Sequence, residues 1–590
     1  MNLANSSRRH ALALAAAAGV AVSTCAAFAP AWAEDTKKSC SEDAGLSLPK
    51  GFCATVFADG VGHARQLAVA PDGALYVNTW SGVYYGNDKP HDGGFLVALK
   101  DAKGAGAADV NVRFGPSFAE GAHGGTGIWR YKNWIYAEAN DKIVRYDIAS
   151  GPPAADARPE IVLDGLPITG DHPMHPFAID AQGNLFVSMG SATNSCEVKN
   201  RMPHSPGADP CTELETRAGV WRYDADKLGQ TFSPKERYIS GVRNPEGLDF
   251  DAAGRLFVSQ HGRDQLHENW PELYTAEQGF ELPAEQVMAA KGGAWYGWPN
   301  CYFDPRRKKL VLAPEYGGDG GEKVGVCGTA EAPIAHYPAH WAPNDLKIYG
   351  GSQFPEAYAG GAFIAFHGSW NRAPGPQGGY NVVFQPLAGG KPAGEFVVFA
   401  DGFAGRYKEP GRAAHRPSGL AVAPDGSLFI SDDKAGRVWR VTYVGDRSAP
   451  IEVAPNARTQ AAASPTAAPP EGVHPDAGAQ AALPVPPGSS AAKVALGKKV
   501  FHGEVGGATC AGCHGADGTG TPVGAALNTG AWLWSDGSLS GVTKTIEEGV
   551  AEPRRHPGAM PPLGGVELSR ENLEAVAAYV WAVGRTSGNR

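Results

Sequence analysis

Leu67-Ala-Val-Ala-Pro-Asp-Gly73-Ala-Leu-Tyr-Val77 sets an apolar strand, a turn with glycine where a positive φ is needed, and a second apolar strand end to end. That is a β-hairpin. The pattern returns at Phe177–Val187 around Gly183, at Leu248–Val258 around Gly254 and at Leu420–Ile430 around Gly426. Weaker copies occur at Gly127–Ala137 around Asn133 and at Phe354–Ala365 around Gly360, so six units recur at irregular spacings of about 50 to 110 residues. Glycine-rich all-β units of this size, poor in helical periodicity, stack best as blades around an axis. The sequence predicts an all-β six-bladed β-propeller over roughly residues 40–447.

Beyond it the composition changes. Residues 450–490 are rich in Ala, Pro and Gly with few large apolar side chains, which reads as a semi-rigid linker. Residues 491–501 and 571–581 then carry helical apolar spacing, predicting a small all-α domain over 491–585 whose first and last helices pack together. Between them stands Cys510-Ala511-Gly512-Cys513-His514. Two thiols three positions apart followed at once by an imidazole are the attachment site of a c-type haem, with thioethers from Cys510 and Cys513 and His514 as iron ligand. A disulfide or half of a zinc site is the weaker reading, since no second Cys pair lies at zinc-ribbon spacing. Met560, in the Pro-stiffened run Gly558-Ala559-Met560-Pro561-Pro562, is the expected sixth ligand, and a His/Met pair raises the haem potential. The helical domain is thus a cytochrome c, tethered so that it can reach the propeller mouth and leave it again.

A chain of 590 residues is long enough for two or more domains, and a net charge of −9 leaves no basic surface for nucleic acid. Residues 1–33 read as an export signal: Ser7-Arg8-Arg9, an apolar stretch, then Ala31-Trp32-Ala33 as a cleavage site. The arginine pair suits a twin-arginine signal, with the general secretory route still open. A periplasmic or secreted address is expected, and no stretch in the mature chain approaches the length of a membrane span. Setting aside Cys25 and the haem cysteines, six thiols allow fifteen pairings, of which short loops favour 40–53, 196–211 and 301–327.

Polar loops precede the repeated strands. Asp171-His172 lies just before the Gly183 hairpin and Arg243-Asn244-Pro245-Glu246-Gly247 just before the Gly254 one, with His261-Gly262-Arg263-Asp264, His367-Gly368-Ser369-Trp370-Asn371-Arg372 and His415-Arg416-Pro417 further on. In a propeller these loops converge on one mouth of the central channel. Together with His267–Gln278 and Gly292–Pro299 they give the chain a resemblance, running across nearly all of 40–447, to the PQQ-dependent sugar dehydrogenases of six-bladed propeller fold, in particular the sorbosone and pyranose dehydrogenase branch. That resemblance implies pyrroloquinoline quinone and Ca²⁺ as cofactors beside the haem. It also implies His172 as general base, Arg243 and Asn244 holding the quinone, the backbone carbonyls of Gly262 and Arg263 on the calcium, and Arg416 on the quinone's carboxylates. Asp171 is expected to orient His172, Arg372 to add a further guanidinium, and His123, Tyr337, His340 and Trp341 to line the pocket. The chemistry agrees, because a planar tricarboxylate calls for guanidinium forks and a Lewis-acidic Ca²⁺ makes a quinone carbonyl a better hydride acceptor. Ser191 stands where the glucose-oxidising branch carries an acid, which favours a sorbosone-like aldose or keto-aldehyde over glucose. Electrons would leave for a soluble cytochrome or a membrane quinone or oxidase. The alternatives are a calcium-dependent lactonase-type hydrolase and a binding propeller that carries a cytochrome.

Overall fold

The computed structural model describes residues 44–585 except 80–92, 117–123, 373–374, 409–412, 456–482, 509, 516–517, 519, 522 and 557. The expected export signal over residues 1–33, Cys40, His123 and most of the linker therefore lie outside the described residues. Six sheets of four antiparallel strands follow one another, one of them with the short strand Gln230–Thr231 added in parallel at its edge. Their first strands are Leu67–Val69, Ile128–Tyr131, Phe177–Ile179, Asn244–Phe250, Pro343–Ile348 and Pro417–Val422, and each touches the next around a closed ring. This is the six-bladed propeller the hairpins predict.

The turn glycines have the backbone their hairpins need: φ is +80° at Gly73, +89° at Gly183, +76° at Gly254 and +84° at Gly426. One hairpin differs from expectation. Ala362–Phe366 pairs with Pro343–Ile348, while Glu356–Tyr358 is a 3₁₀ turn. Phe354 and Tyr358 imitate a strand because both are buried, Phe354 stacked on Tyr349 at 4.6 Å in the core between two blades.

Six apolar clusters fill the six gaps between neighbouring blades. The gap between last and first blade is filled like the others, by Phe429 and Val438 against Leu75 and Val97. The last blade is completed from the other end of the propeller, where Phe52–Ala58 pairs antiparallel with Val438–Tyr443 in the register Phe52↔Tyr443 and Val56↔Trp439. Disulfides join Cys196 to Cys211 and Cys301 to Cys327, and Cys53 is also disulfide-bonded.

In the C-terminal domain, Ala491–Phe501 and Arg570–Val583 form the first and last helices, with Cys510–His514 and Leu539–Glu548 between them. Ser490, Ser538 and Ser569 cap the three longer helices, each side chain accepting from a backbone N–H. The terminal helices cross at Gly497, where any Cβ would strike the Ala575 carbonyl, and Lys493 pairs with Glu574 alongside. Among the described residues no helix is long and apolar enough to cross a membrane.

Candidate active site

At one mouth of the propeller lies a polar cavity of about 910 Å³, open solvent included. His172, Asp171, Arg243, Asn244, Gly262 and Arg416 all line it, so six of the expected residues converge from different blades. His172 is held by what lies behind it. Its Nδ1 is 2.9 Å from the Ser191 carbonyl oxygen and 3.0 Å from Ser191 Oγ. A carbonyl can only accept, so Nδ1 carries the proton and Nε2 keeps its lone pair. Burial, then the nearby guanidiniums of Arg243 and Arg201, hold the ring's pKa well below the ordinary imidazole range, and it is neutral. Gly190 makes room for this arrangement, since a Cβ there would overlap His172 Cβ and lie 2.8 Å from Asn244 Oδ1.

Asp171 does not orient His172. Its carboxylate accepts from Arg201 Nε at 2.8 Å and Asn200 Nδ2 at 2.9 Å, while Ser191 takes the orienting place. Arg201, which no motif singled out, lines the cavity from the loop closed by the Cys196–Cys211 disulfide. It reaches Asp264 Oδ2 at 3.0 Å, as does Arg243 Nη2. Burial works to raise the Asp264 pKa, but Arg243 and Arg201 hold it well below the carboxylate range. Arg65, also unforeseen, lines the wall on its ion pair with Asp433 at 2.7 Å.

The remaining arginines divide sharply. Arg372 lies off the cavity, donating to the carbonyl oxygens of Phe280 (2.6 Å), Ala339 (2.8 Å) and Pro376 (2.9 Å), so its expected cofactor role is corrected. Arg263 turns its side chain onto buried Glu315. Arg416 donates to the carbonyl oxygens of His367 (3.1 Å) and Gly368 (2.6 Å) and lies over the Tyr380 ring. Among the described residues its guanidinium meets no carboxylate, unlike those of Arg65, Arg201 and Arg243.

Two buried polar atoms on the same wall, His261 Nε2 and Asn371 Oδ1, have no hydrogen-bond partner among the described residues. A guanidinium that meets no carboxylate among the described residues and keeps donors beyond its two carbonyl contacts, beside unsatisfied buried polar atoms, fits a flat, carboxylate-bearing quinone. The calcium place fits less well. The Gly262 carbonyl expected to bind it accepts from Arg243 Nη1 at 2.8 Å, and among the described residues no group of three or more acidic, His or Cys side chains is placed to hold a metal. His340 lines the cavity as expected, whereas Tyr337 and Trp341 pack in the aromatic core around Phe366.

A second cavity, of about 1120 Å³ with open solvent included, occupies the helical domain and is walled mostly by apolar side chains. Cys510, Cys513, His514 and Met560 all line it, and neither cysteine is in a disulfide. His514 Nδ1 is 2.8 Å from the Ala525 carbonyl oxygen, which fixes the proton there and leaves Nε2 for a metal. Met560, on the wall of the same cavity, is pinned by paired backbone hydrogen bonds with Val550, at 2.7 and 2.9 Å. These residues fit a c-type haem.

The two cavities adjoin. Thr521 and Val523 of the helical domain line the propeller cavity, and Val523 lines the haem cavity as well. Gly512 sits against Trp370, and Gly565 against the side chain of Glu268. Burial pushes the Cys513 thiol up to about 11, with the charges of Arg201 and Asp264 also acting on it across the interface.

An arginine-lined propeller mouth beside a haem-attachment turn defines a class of protein, and comparison with known proteins agrees with it. Residues 46–444 match the TrAA12-like family and residues 494–584 the cytochrome c family. The chain belongs to the TrAA12-like family. It is 28% identical over 298 residues to the pyrroloquinoline quinone-dependent pyranose dehydrogenase of Coprinopsis cinerea, covering 43% of this chain and 37% of that protein. An uncharacterized protein of Borreliella burgdorferi is 28% identical over 214 residues, 35% of this chain and 49% of that one. The chain thus spans half or less of the curated relatives it matches. Among solved structures, the PQQ domain of the Coprinopsis cinerea pyranose dehydrogenase in its holo form shares the fold at TM-score 0.52 and 19% identity, over 67% of this chain and 97% of that one. The calcium structure of a Trichoderma reesei family AA12 protein does so at 0.53 and 17%, over 68% and 97%.

Proposed function

We propose that this chain is an exported dehydrogenase that oxidises a small sugar, an aldose or keto-aldehyde, in the propeller cavity. The electrons leave through its own cytochrome c domain to a soluble cytochrome or a membrane quinone or oxidase. The carrying observation is that one cavity joins a neutral His172, its lone pair fixed on Nε2, to a guanidinium, Arg416, that meets no carboxylate among the described residues. The pyranose dehydrogenase relative and the cytochrome c match support the same reading. When bound, pyrroloquinoline quinone supplies a two-electron acceptor and haem c a one-electron carrier.

The chain's own residues do the rest. Arg416 binds an anionic carboxylate as a fork, with its other donors already anchored on backbone carbonyls. His172 Nε2 takes the hydroxyl proton while hydride leaves the carbon that bears the oxygen, so the sugar loses two electrons and two hydrogens. Ser191 keeps the imidazole in the accepting tautomer throughout. Asp171 and Asp264 hold Arg201 and Arg243 in place and balance their charge, so the wall is polar without being strongly cationic. The disulfides support an oxidising compartment outside the cytoplasm. Purified protein reconstituted with PQQ, with and without Ca²⁺, should reduce its haem when given one of a panel of aldoses and osones. Neither haem reduction nor dye reduction with any sugar would overturn the reading.

A further inference from the structure

Gly512 lies inside the haem-attachment turn, between the two cysteines, in the helix Cys510–His514. A helix favours alanine over glycine at such a position. What this glycine faces is the propeller. A Cβ at 512 would lie 2.5 Å from the Trp370 carbonyl oxygen and 3.1 Å from Trp370 Cε3. Ordinary contacts between carbon and oxygen begin at about 3.3 Å, so the obstacle is backbone and cannot swing aside. Trp370 in turn lines the propeller cavity, and next to this contact Thr521 and Val523 roof that cavity. Val523 is itself packed on Gly558, two residues before Met560, so the wall shared by the two cavities is braced by the loop that carries the second candidate iron ligand.

We propose that Gly512 is a positioning residue for the interface between the two domains: its missing side chain lets the haem-attachment turn seat on Trp370, which closes the propeller cavity with Thr521 and Val523 and brings the haem cavity against it across Val523. The cytochrome then works from a defined dock as well as from a tether. Docking stands on the contacts alone, whereas its use in electron transfer rests on the function proposed above.

The test uses the full chain carrying Gly512→Ala and Gly512→Leu, with haem content and the far-red Met-to-iron absorption band as checks on the cytochrome fold. Both variants should load haem and keep dye-linked sugar oxidation within about twofold of the parent. Haem reduction by sugar should slow at least about tenfold, more for Leu than for Ala, and small-angle scattering should give a larger radius of gyration. Should Leu impede haem attachment, Ala gives the same reading, because its Cβ is the overlapping atom. Variants of parental size that reduce their haem at the parental rate would overturn the proposal. The radius of gyration needs no sugar, so an expanded particle with no sugar activity in either parent or variant would uphold the dock and sink the proposed function instead.

Discussion

Replacing Gly190 by Ala should disable the site while leaving every group that does chemistry in the sequence unchanged. Gly190 passes behind His172, and an added methyl would overlap His172 Cβ while lying 2.8 Å from both the His172 carbonyl oxygen and Asn244 Oδ1. The shortest ordinary C···O contacts are about 3.3–3.6 Å, so both oxygens must retreat by roughly 0.5–0.8 Å. His172 cannot retreat alone, because its ring is hydrogen-bonded to Ser191, the residue next to the new methyl. A misplacement of about 1 Å in a catalytic group costs on the order of 10²-fold, so dye-linked turnover should fall by roughly 30- to 100-fold. Overpacking a full core costs about 1–3 kcal/mol, so the melting midpoint should drop by a few degrees while the protein stays folded. Steady-state dye reduction over a range of sugar concentrations, beside a thermal melt, gives both numbers. Near-parental turnover in a destabilised protein would mean that His172 moved without consequence, and its assignment as base would go with it.

His172→Ala should lower the reductive half-reaction by roughly 10²–10⁴-fold, measured by stopped flow, with PQQ binding retained in titration calorimetry. Arg416→Ala should weaken PQQ by about 1.5–3 kcal/mol in the same calorimetry, whereas Arg372→Ala, whose side chain lies off the cavity, should leave the affinity alone and lower the melting midpoint. Burial raises Glu246 to about 7, so in the folded protein it stays protonated over a range where the unfolded chain has ionised. Stability should therefore decline as pH rises from about 4.3 towards 7, and Glu246→Gln should flatten that slope in urea titrations at several pH values. An unchanged slope would place the raised titration elsewhere.

The blades were legible because each hairpin carries its own address, apolar strands on either side of a glycine in left-handed backbone. Phe354–Ala365 fails as a hairpin because a buried aromatic plug with strand-like spacing lies in front of the true second strand, whose real partner is Pro343–Ile348, upstream of the plug. The haem turn was legible for a similar reason, since its chemistry is local in sequence. Arg201 was not, for the loop that delivers it is folded by a disulfide and by Asp171, neither of which leaves a local trace at position 201. Arg372 shows the converse. It follows directly on cavity residues in sequence, yet the carbonyls of Phe280 and Ala339 from other loops, with that of Pro376 from its own, draw it away. Ser191 was noticed for what it lacks, an acidic group, and the structure gives it a task of its own in fixing the His172 tautomer.

Because Phe52 and Tyr443 face each other across a single sheet, the natural beginning and end of the propeller meet in one blade. The haem domain, joined after Tyr443, is therefore tied to that blade. The ring has no required starting point. Joining the two ends by a short bridge and opening the chain at an exposed turn such as Gly73 or Gly254 would preserve all six gaps between blades while moving the tether round the circle. The place from which the cytochrome is leashed is thus separable from the fold that it serves, and could be shifted blade by blade like a hand on a dial.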